Sequence, residues 1–465
     1  AMGKNEEYVH FSKRGQYYKN VFNPETGFMQ GRFNNSWFTP FDPYEVNFNY
    51  TEANAWQYSL YVPQDISGLM TIMGGKETLE THLDALFSAK NETSGREQID
   101  ITGLIGQYAH GNEPSHHMAY LYNFVNKPHK TQELVYQILT ELYTNEPDGI
   151  SGNEDCGQMS AWYVFSSLGF YPVTPGSNQY IIGTPLFPKA SINLENGKTF
   201  TVAADNISES NIYVESVFLN NTKLERTYLK HEEVMAGGTL VFQMTDNPAV
   251  WGSQDGYEPI TEIADNNILL TPFLAEGDVA FKTETTIILN VSSDDANILY
   301  SLNGSEYKPY TAPITIYEAS NLRTYSERNG EKSPELTTQF YKIDPNLSVK
   351  LETGYANQYN AGGNDALIDG IRGSKDFRTG AWQGYWGKDV VAIVDLGSIK
   401  PIDTISVNFL EDQGSWIFFP SEVECYVSDS RTFNKTLPPQ KIDAGIPADE
   451  SGIKTIQFST HGYNA

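Results

Sequence analysis

The chain has 465 residues, room for about three or four domains at roughly 150 residues each. Lys and Arg number 31 against 58 Asp and Glu, and the resulting formal charge of −27 repels nucleic-acid phosphate and anionic membrane surfaces, which excludes nucleic acid as a partner. No apolar run reaches the roughly 18 residues of a spanning helix, so no membrane insertion is expected, and the charge favours neutral or cationic partners while serving solubility as well.

In chain order, residues 1–175 are expected to be helical and irregular. LMTIMGGKETLETHLDALF and ELVYQILTELY place apolar residues at i, i+3, i+4 and i+7, the period of a one-sided helix, and AWYVFSSLGFY reads as a further apolar helix. After Pro172 and Pro175 the texture changes to short β-rich runs, YIIGT, ASINL, FTVAA, NIYVESVFL and TLVFQM, so 176–252 is expected to be a β-sandwich. The polar joint SQDGYEPITEIADNN leads to a third segment, 268–343, with TTIILNVSS, ILYSL and ITIYEA around an Asn303-Gly304 turn. Asp344-Pro345-Asn346 opens a fourth, 346–465, with VVAIVDL, TISVNF and EVECYVS. The expected chain is therefore multidomain α and β, one helical domain followed by three β-sandwich-like domains. Cys156 and Cys425 fall in different segments and have neither disulfide-framework nor zinc spacing.

Three clusters in the helical segment combine carboxylates, amides and rings. In Tyr50-Thr51-Glu52-Ala53-Asn54-Ala55-Trp56-Gln57-Tyr58, a carboxylic acid beside apolar rings has a raised pKa and can protonate a leaving oxygen; a surface carboxylate next to a packed ring gives the same pattern. In His110-Gly111-Asn112-Glu113-Pro114-Ser115-His116-His117, the Asn and Glu oxygens on a turn stiffened by Pro suit a hard cation such as Ca²⁺ better than zinc. The same stretch also reads as an N-cap at Ser115 opening a helix over HHMAYLYNF. In Gly152-Asn153-Glu154-Asp155-Cys156-Gly157-Gln158, two carboxylates precede an apolar helix, where the helix dipole keeps them ionised and suits a general base; an ordinary helix start reads alike.

Taken together, YTEANAWQY with VPQDISGLMTIMGG, GNEPSHHMAYLYNF and GNEDCGQMSAWYVFSSLGFYPVTPG resemble, in order and spacing, the motifs of glycoside hydrolase family 92, and NVFNPETGFMQGR and DNPAVWG are similar too. The resemblance spans roughly residues 8–252. It implies a calcium-dependent, inverting exo-α-mannosidase built from an N-terminal β-sandwich on an (α/α)-type helical barrel. Residues 1–175 would then be a partial barrel, without counterparts for the N-terminal sandwich and the early barrel helices, and 176–252 the sandwich closing the catalytic unit. By position Glu52 would be the acid and Asp155 the base, with Asn112 and Glu113 as calcium ligands. Glu113, Trp56, Gln57, His116, Gln158 and Asn153 would bind substrate. The family often has Asp where Asn153 stands, so a second carboxylate beside the base is here an amide.

Residues 268–343 resemble the small sandwich at the C-terminus of chitobiase-type enzymes. Residues 346–465 resemble a discoidin-like (coagulation factor 5/8 type C) domain lacking its usual last strand, in which Trp382, Trp386 and Trp416, with Tyr385, would contact glycan. The implied function is hydrolysis of terminal α-linked mannose from N-glycans or mannans, with mannose-containing glycans as partners. The competing reading is an inert glycan-binding protein that uses its discoidin-like domain. The N-terminal stretch has no signal-peptide core, and periplasmic or secreted placement follows only from the family's habit.

Overall fold

A computed structural model describes residues 3–293, 295–430, 435–442, 446–447 and 449–464. The chain is a multidomain mixture of helices and sheets that divides into two compact units, residues 1–30 with 41–268, and residues 31–40 with 269–465.

The helices of the first unit follow their apolar spacing. Ile66–Met73 buries Ile66, Leu69 and Met73, and it ends where Gly74 turns left-handed (φ 103°). Lys76–Ser88 buries Leu79, Leu83 and Leu86, one stripe at steps of four and three. Pro128–Glu141 opens on a proline, whose missing N–H is no loss in a first turn, and buries Val135, Ile138 and Leu139. One more helix, Asn5–Arg14, buries none of its residues.

Two expectations are corrected. AWYVFSSLGFY is helical only through Gln158–Ser167; Leu168–Tyr171 is a strand paired with Gln179–Pro185, which lets Phe170 enter the β core while the helix keeps Trp162 in the other. Ser115 caps no helix over HHMAYLYNF. It ends a short 3₁₀ turn, Glu113–Ser115, and a second 3₁₀ run, Met118–Val125, starts only after His117, because the intervening imidazoles bond to carbonyls elsewhere, His116 to His110 and His117 to Leu60. Every side chain of that second run is buried.

Alternating burial then takes over. A five-stranded sheet runs Lys189–Asn193, Thr199–Asp205, Gly238–Thr245, Tyr213–Leu219, Thr222–Leu224, and a three-stranded one runs Tyr228–Lys230, Gln179–Pro185, Leu168–Tyr171. Phe170, Ile182, Phe200, Phe242 and Trp251 form their common core.

In the second unit one sheet is ordered Ile314–Ile316, Thr285–Asn290, Phe273–Glu276, Ser36–Trp37, Arg32–Phe33, so a hairpin from residues 31–40 completes it. The facing core holds Leu274, Phe281, Ile287, Leu322 and Phe340. Asn303 and Gly304 sit at positive φ at the centre of a tight turn closed by the Ser305 N–H on the Leu302 carbonyl, as the sequence suggests, within the connection from Asn297–Leu302 to Lys308–Pro309. Further on, Pro401–Asp412 pairs antiparallel with Ser451–Asn464 over a small core of Val427, Leu437, Ile456 and Phe458.

Candidate active site

The site is built from three loops of the first unit. The first ends in a capped turn: Asn54 accepts from the Gln57 backbone N–H, and the Gln57 side chain accepts from the Asn54 N–H. Asn54, fully buried, is anchored to Gln107 at 2.8 Å. Just before this cap Glu52 stands exposed, in the left-handed region at φ 57°.

The second and third loops begin with glycines that touch. A Cβ added to Gly152 would lie 2.8 Å from the Gly111 carbonyl oxygen and 3.2 Å from its Cα, so the two Gly-Asn-Glu stretches meet backbone to backbone. In the third loop Glu154 is committed to the helix, accepting from the Ser160 N–H at 3.0 Å. Asp155 follows at φ 46°, exposed, its backbone carbonyl accepting from the Gln158 N–H. The expected pair of dipole-held carboxylates thus splits into one cap and one open carboxylate.

Glu113 ties the loops together. Partial burial pushes its carboxyl above the ordinary range, and the Asp155 carboxyl adds to this through its charge and a shared hydrogen bond, and Glu52 through its charge. Carboxylates from three motifs far apart in sequence therefore converge. Asn112 is half-buried beside Glu113 in the chain, and Asn153 is exposed on its loop.

Behind the carboxylates lies a buried polar layer. His116 places Nε2 2.9 Å from the His110 carbonyl and Nδ1 3.2 Å from Gln158 Nε2, and Gln158 Nε2 also reaches the Tyr171 hydroxyl at 3.1 Å. Trp162 donates its indole N–H to the His116 carbonyl. Burial drives the His116 and His117 pKa values down to about 4, so both rings are neutral at neutral pH. Trp56 and Gln57, expected among the substrate contacts, lie inward: Trp56 is 9% exposed and packs 4.7 Å from Phe28 and 5.2 Å from His82. Trp56 Nε1 and Gln57 Nε2 are nevertheless buried without a protein partner.

Sequence reasoning missed three tyrosines. Glu52 acts on Tyr58, and Glu113 on Tyr171, while Tyr61, half exposed, packs 5.9 Å from His117 and 6.2 Å from Tyr58. Tyr58 and Tyr171 both stand inside family-like motifs, Tyr171 in a stretch whose apolar run reads as helix, and Tyr61 lies just beyond the first motif. In the second unit the Trp382 indole N–H is committed to the Ser374 carbonyl, and Trp386 and Trp416 are 76% and 85% exposed.

Asn112 and Glu113 offer oxygens of the kind a hard cation takes, but calcium needs about six to eight, and among the described residues no three His, Cys, Asp or Glu side chains form a ligand set. These residues by themselves do not complete a calcium site.

The glycosyl hydrolase family 92 catalytic domain matches residues 1–246. The chain belongs to glycoside hydrolase family 92. This family 92 chain is 38% identical to a family GH92 α-mannosidase from Bacteroides thetaiotaomicron solved with mannoimidazole, over 57% of its length and 37% of that chain, with a TM-score of 0.54. A family GH92 inverting mannosidase from the same organism is 34% identical over 56% of the chain and 37% of its own, with a TM-score of 0.50. An uncharacterized secreted glycosidase of Arthroderma benhamiae is 29% identical over 205 residues. The family 92 chain spans 24% of that relative's length and 37% of each of the two structures.

Proposed function

We propose that the chain hydrolyses terminal α-linked mannose of N-glycans or mannans with inversion. The observation that carries this is the meeting of Glu52, Glu113 and Asp155 in one site backed by neutral histidines and tyrosines. Glu52 would protonate the glycosidic oxygen, while Asp155 takes a proton from the water that attacks the anomeric carbon from the opposite face, an arrangement needing about 6.5–9.5 Å between the two carboxyls. Glu113 would lie beside the calcium and hold sugar hydroxyls.

Membership in family 92 and the mannosidase names of the solved relatives support this reading, as the mannoimidazole complex supports mannose-containing glycans. It includes the helical segment as part of an (α/α) barrel, three β-sandwich units after it, a discoidin-like C-terminal module and, from the secreted relative, a secreted or periplasmic place; no described helix is long and apolar enough to cross a membrane. Calcium belongs to the proposal too, with Asn112 and Glu113 as this chain's ligands and the remainder from elsewhere; when bound it would supply positive charge to the sugar's hydroxyls. The exposed Trp386 and Trp416 favour the second reading, glycan binding without turnover. An α-mannosyl aryl glycoside, assayed with added Ca²⁺ and with EDTA, decides. Turnover supports the enzyme, and its absence in Ca²⁺ leaves only binding.

A further inference from the structure

A carbonyl oxygen only accepts, so the 2.9 Å contact between His116 Nε2 and the His110 carbonyl puts a proton on Nε2. The ring is 2% exposed, and burial of that kind disfavours a second proton, so with Nε2 protonated Nδ1 is a lone pair. Gln158 must meet that lone pair with its NH₂, as the 3.2 Å contact has it. The second N–H of the same amide then points at the Tyr171 oxygen, 3.1 Å away, and Tyr171 accepts. Its own proton is left for another acceptor. Were the His116 proton on Nδ1 instead, Gln158 would have to present its oxygen, and Tyr171 would spend its proton there.

The Tyr171 ring cannot easily turn aside. It is stacked 5.4 Å from Tyr120 and lies 6.3 Å from Trp162, whose N–H is tied to the same His116. Burial, and then the neighbouring Tyr61 and Glu113, push the phenol up to about 12, so it remains a donor. Glu52, Glu113 and Asp155 are acceptors when ionised, whereas a sugar hydroxyl both donates and accepts. With Asp155 taking a proton and the Glu52 proton spent on the glycosidic oxygen, a phenol that stays protonated supplies a donor for the sugar's other oxygens.

We propose that the Tyr171 hydroxyl is a specificity-determining hydrogen-bond donor to the terminal sugar, aimed by the buried His116–Gln158 pair. This rests on the glycosidase reading above. Two measurements separate them. Two-bond ¹H–¹⁵N NMR of the ¹⁵N-histidine-labelled chain, with His116 assigned by His116→Gln, is expected to show the proton on Nε2; a proton on Nδ1 overturns the proposal whatever the chain binds. Calorimetric titration with mannoimidazole is then expected to lose about tenfold in affinity for Tyr171→Phe. Gln158→Glu should lose about as much, because its carboxylate captures the Tyr171 proton, and the double variant no more than either. Unchanged affinity in Tyr171→Phe, or losses that multiply in the double variant, overturn the inference alone. A wild-type chain that does not bind mannoimidazole overturns the glycosidase reading and this one with it.

Discussion

Replacing Gly152 by alanine tests the backbone junction on which the site rests. Gly152 sits at φ 74°, where an L side chain costs about 1–2 kcal/mol, and its new Cβ would press on the Gly111 carbonyl at 2.8 Å. That neighbour is backbone and cannot rotate away, so overpacking adds roughly 1–3 kcal/mol, for a total of about 2–5 kcal/mol. Gly157 is the control: it too has positive φ, at 88°, but a Cβ there meets nothing within 4 Å, so its alanine variant carries only the first cost. At roughly 2–4 °C per kcal/mol for a domain of this size, Gly152→Ala should melt about 2–12 °C below Gly157→Ala by calorimetry. It should also disturb Glu113 and Asp155 together, lowering binding of mannoimidazole by the folded protein. Equal melting temperatures for the two variants would refute the proposed contact between the loops.

Asp155→Asn should slow hydrolysis by at least about 10²-fold, and near-normal rates would remove it as the base. Glu52→Gln should slow substrates with poor leaving groups far more than activated aryl glycosides, since activated aglycones need little protonation; equal losses would count against an acid role. His82, His116 and His117 have folded pKa values near 4 against an ordinary 6.5, so the unfolded chain binds protons that the folded one refuses. Their contribution is intact above 6.5 and is lost as pH falls toward 4, by up to about 1.4 kcal/mol per pH unit for each ring, so a denaturant midpoint that stays flat from pH 6.5 to 5 would contradict the burial of these rings.

How much of this could be read from the chain varies with the range of the interactions. Helices whose apolar residues fall on one stripe, such as Leu79, Leu83 and Leu86, are visible because the period is local. The Asn303-Gly304 turn is visible because its φ angles select those residues. Leu168–Tyr171 reads as helix from sequence because an apolar run after a helix looks like more helix until a distant strand claims its hydrogen bonds. In the site, the resemblance to family 92 motifs names the carboxylates, but their adjacency is tertiary, as is the inward turn of Trp56 against Phe28 and His82. Tyr171 stands inside a family-like motif, but nothing local singles it out, since its importance comes from Gln158 and His116.

The Arg32–Trp37 hairpin carries a practical consequence. Because residues 31–40 belong with 269–465, neither unit is a continuous stretch of polypeptide. A single cut after residue 268 would strip the second unit of two sheet strands and leave the first trailing an orphaned ribbon. Fragment expression, limited proteolysis and domain-swap chimaeras designed on a linear map would misreport both halves. A separation faithful to the fold needs residues 31–40 grafted onto the C-terminal piece and a short bridge from residue 30 to residue 41 in the other.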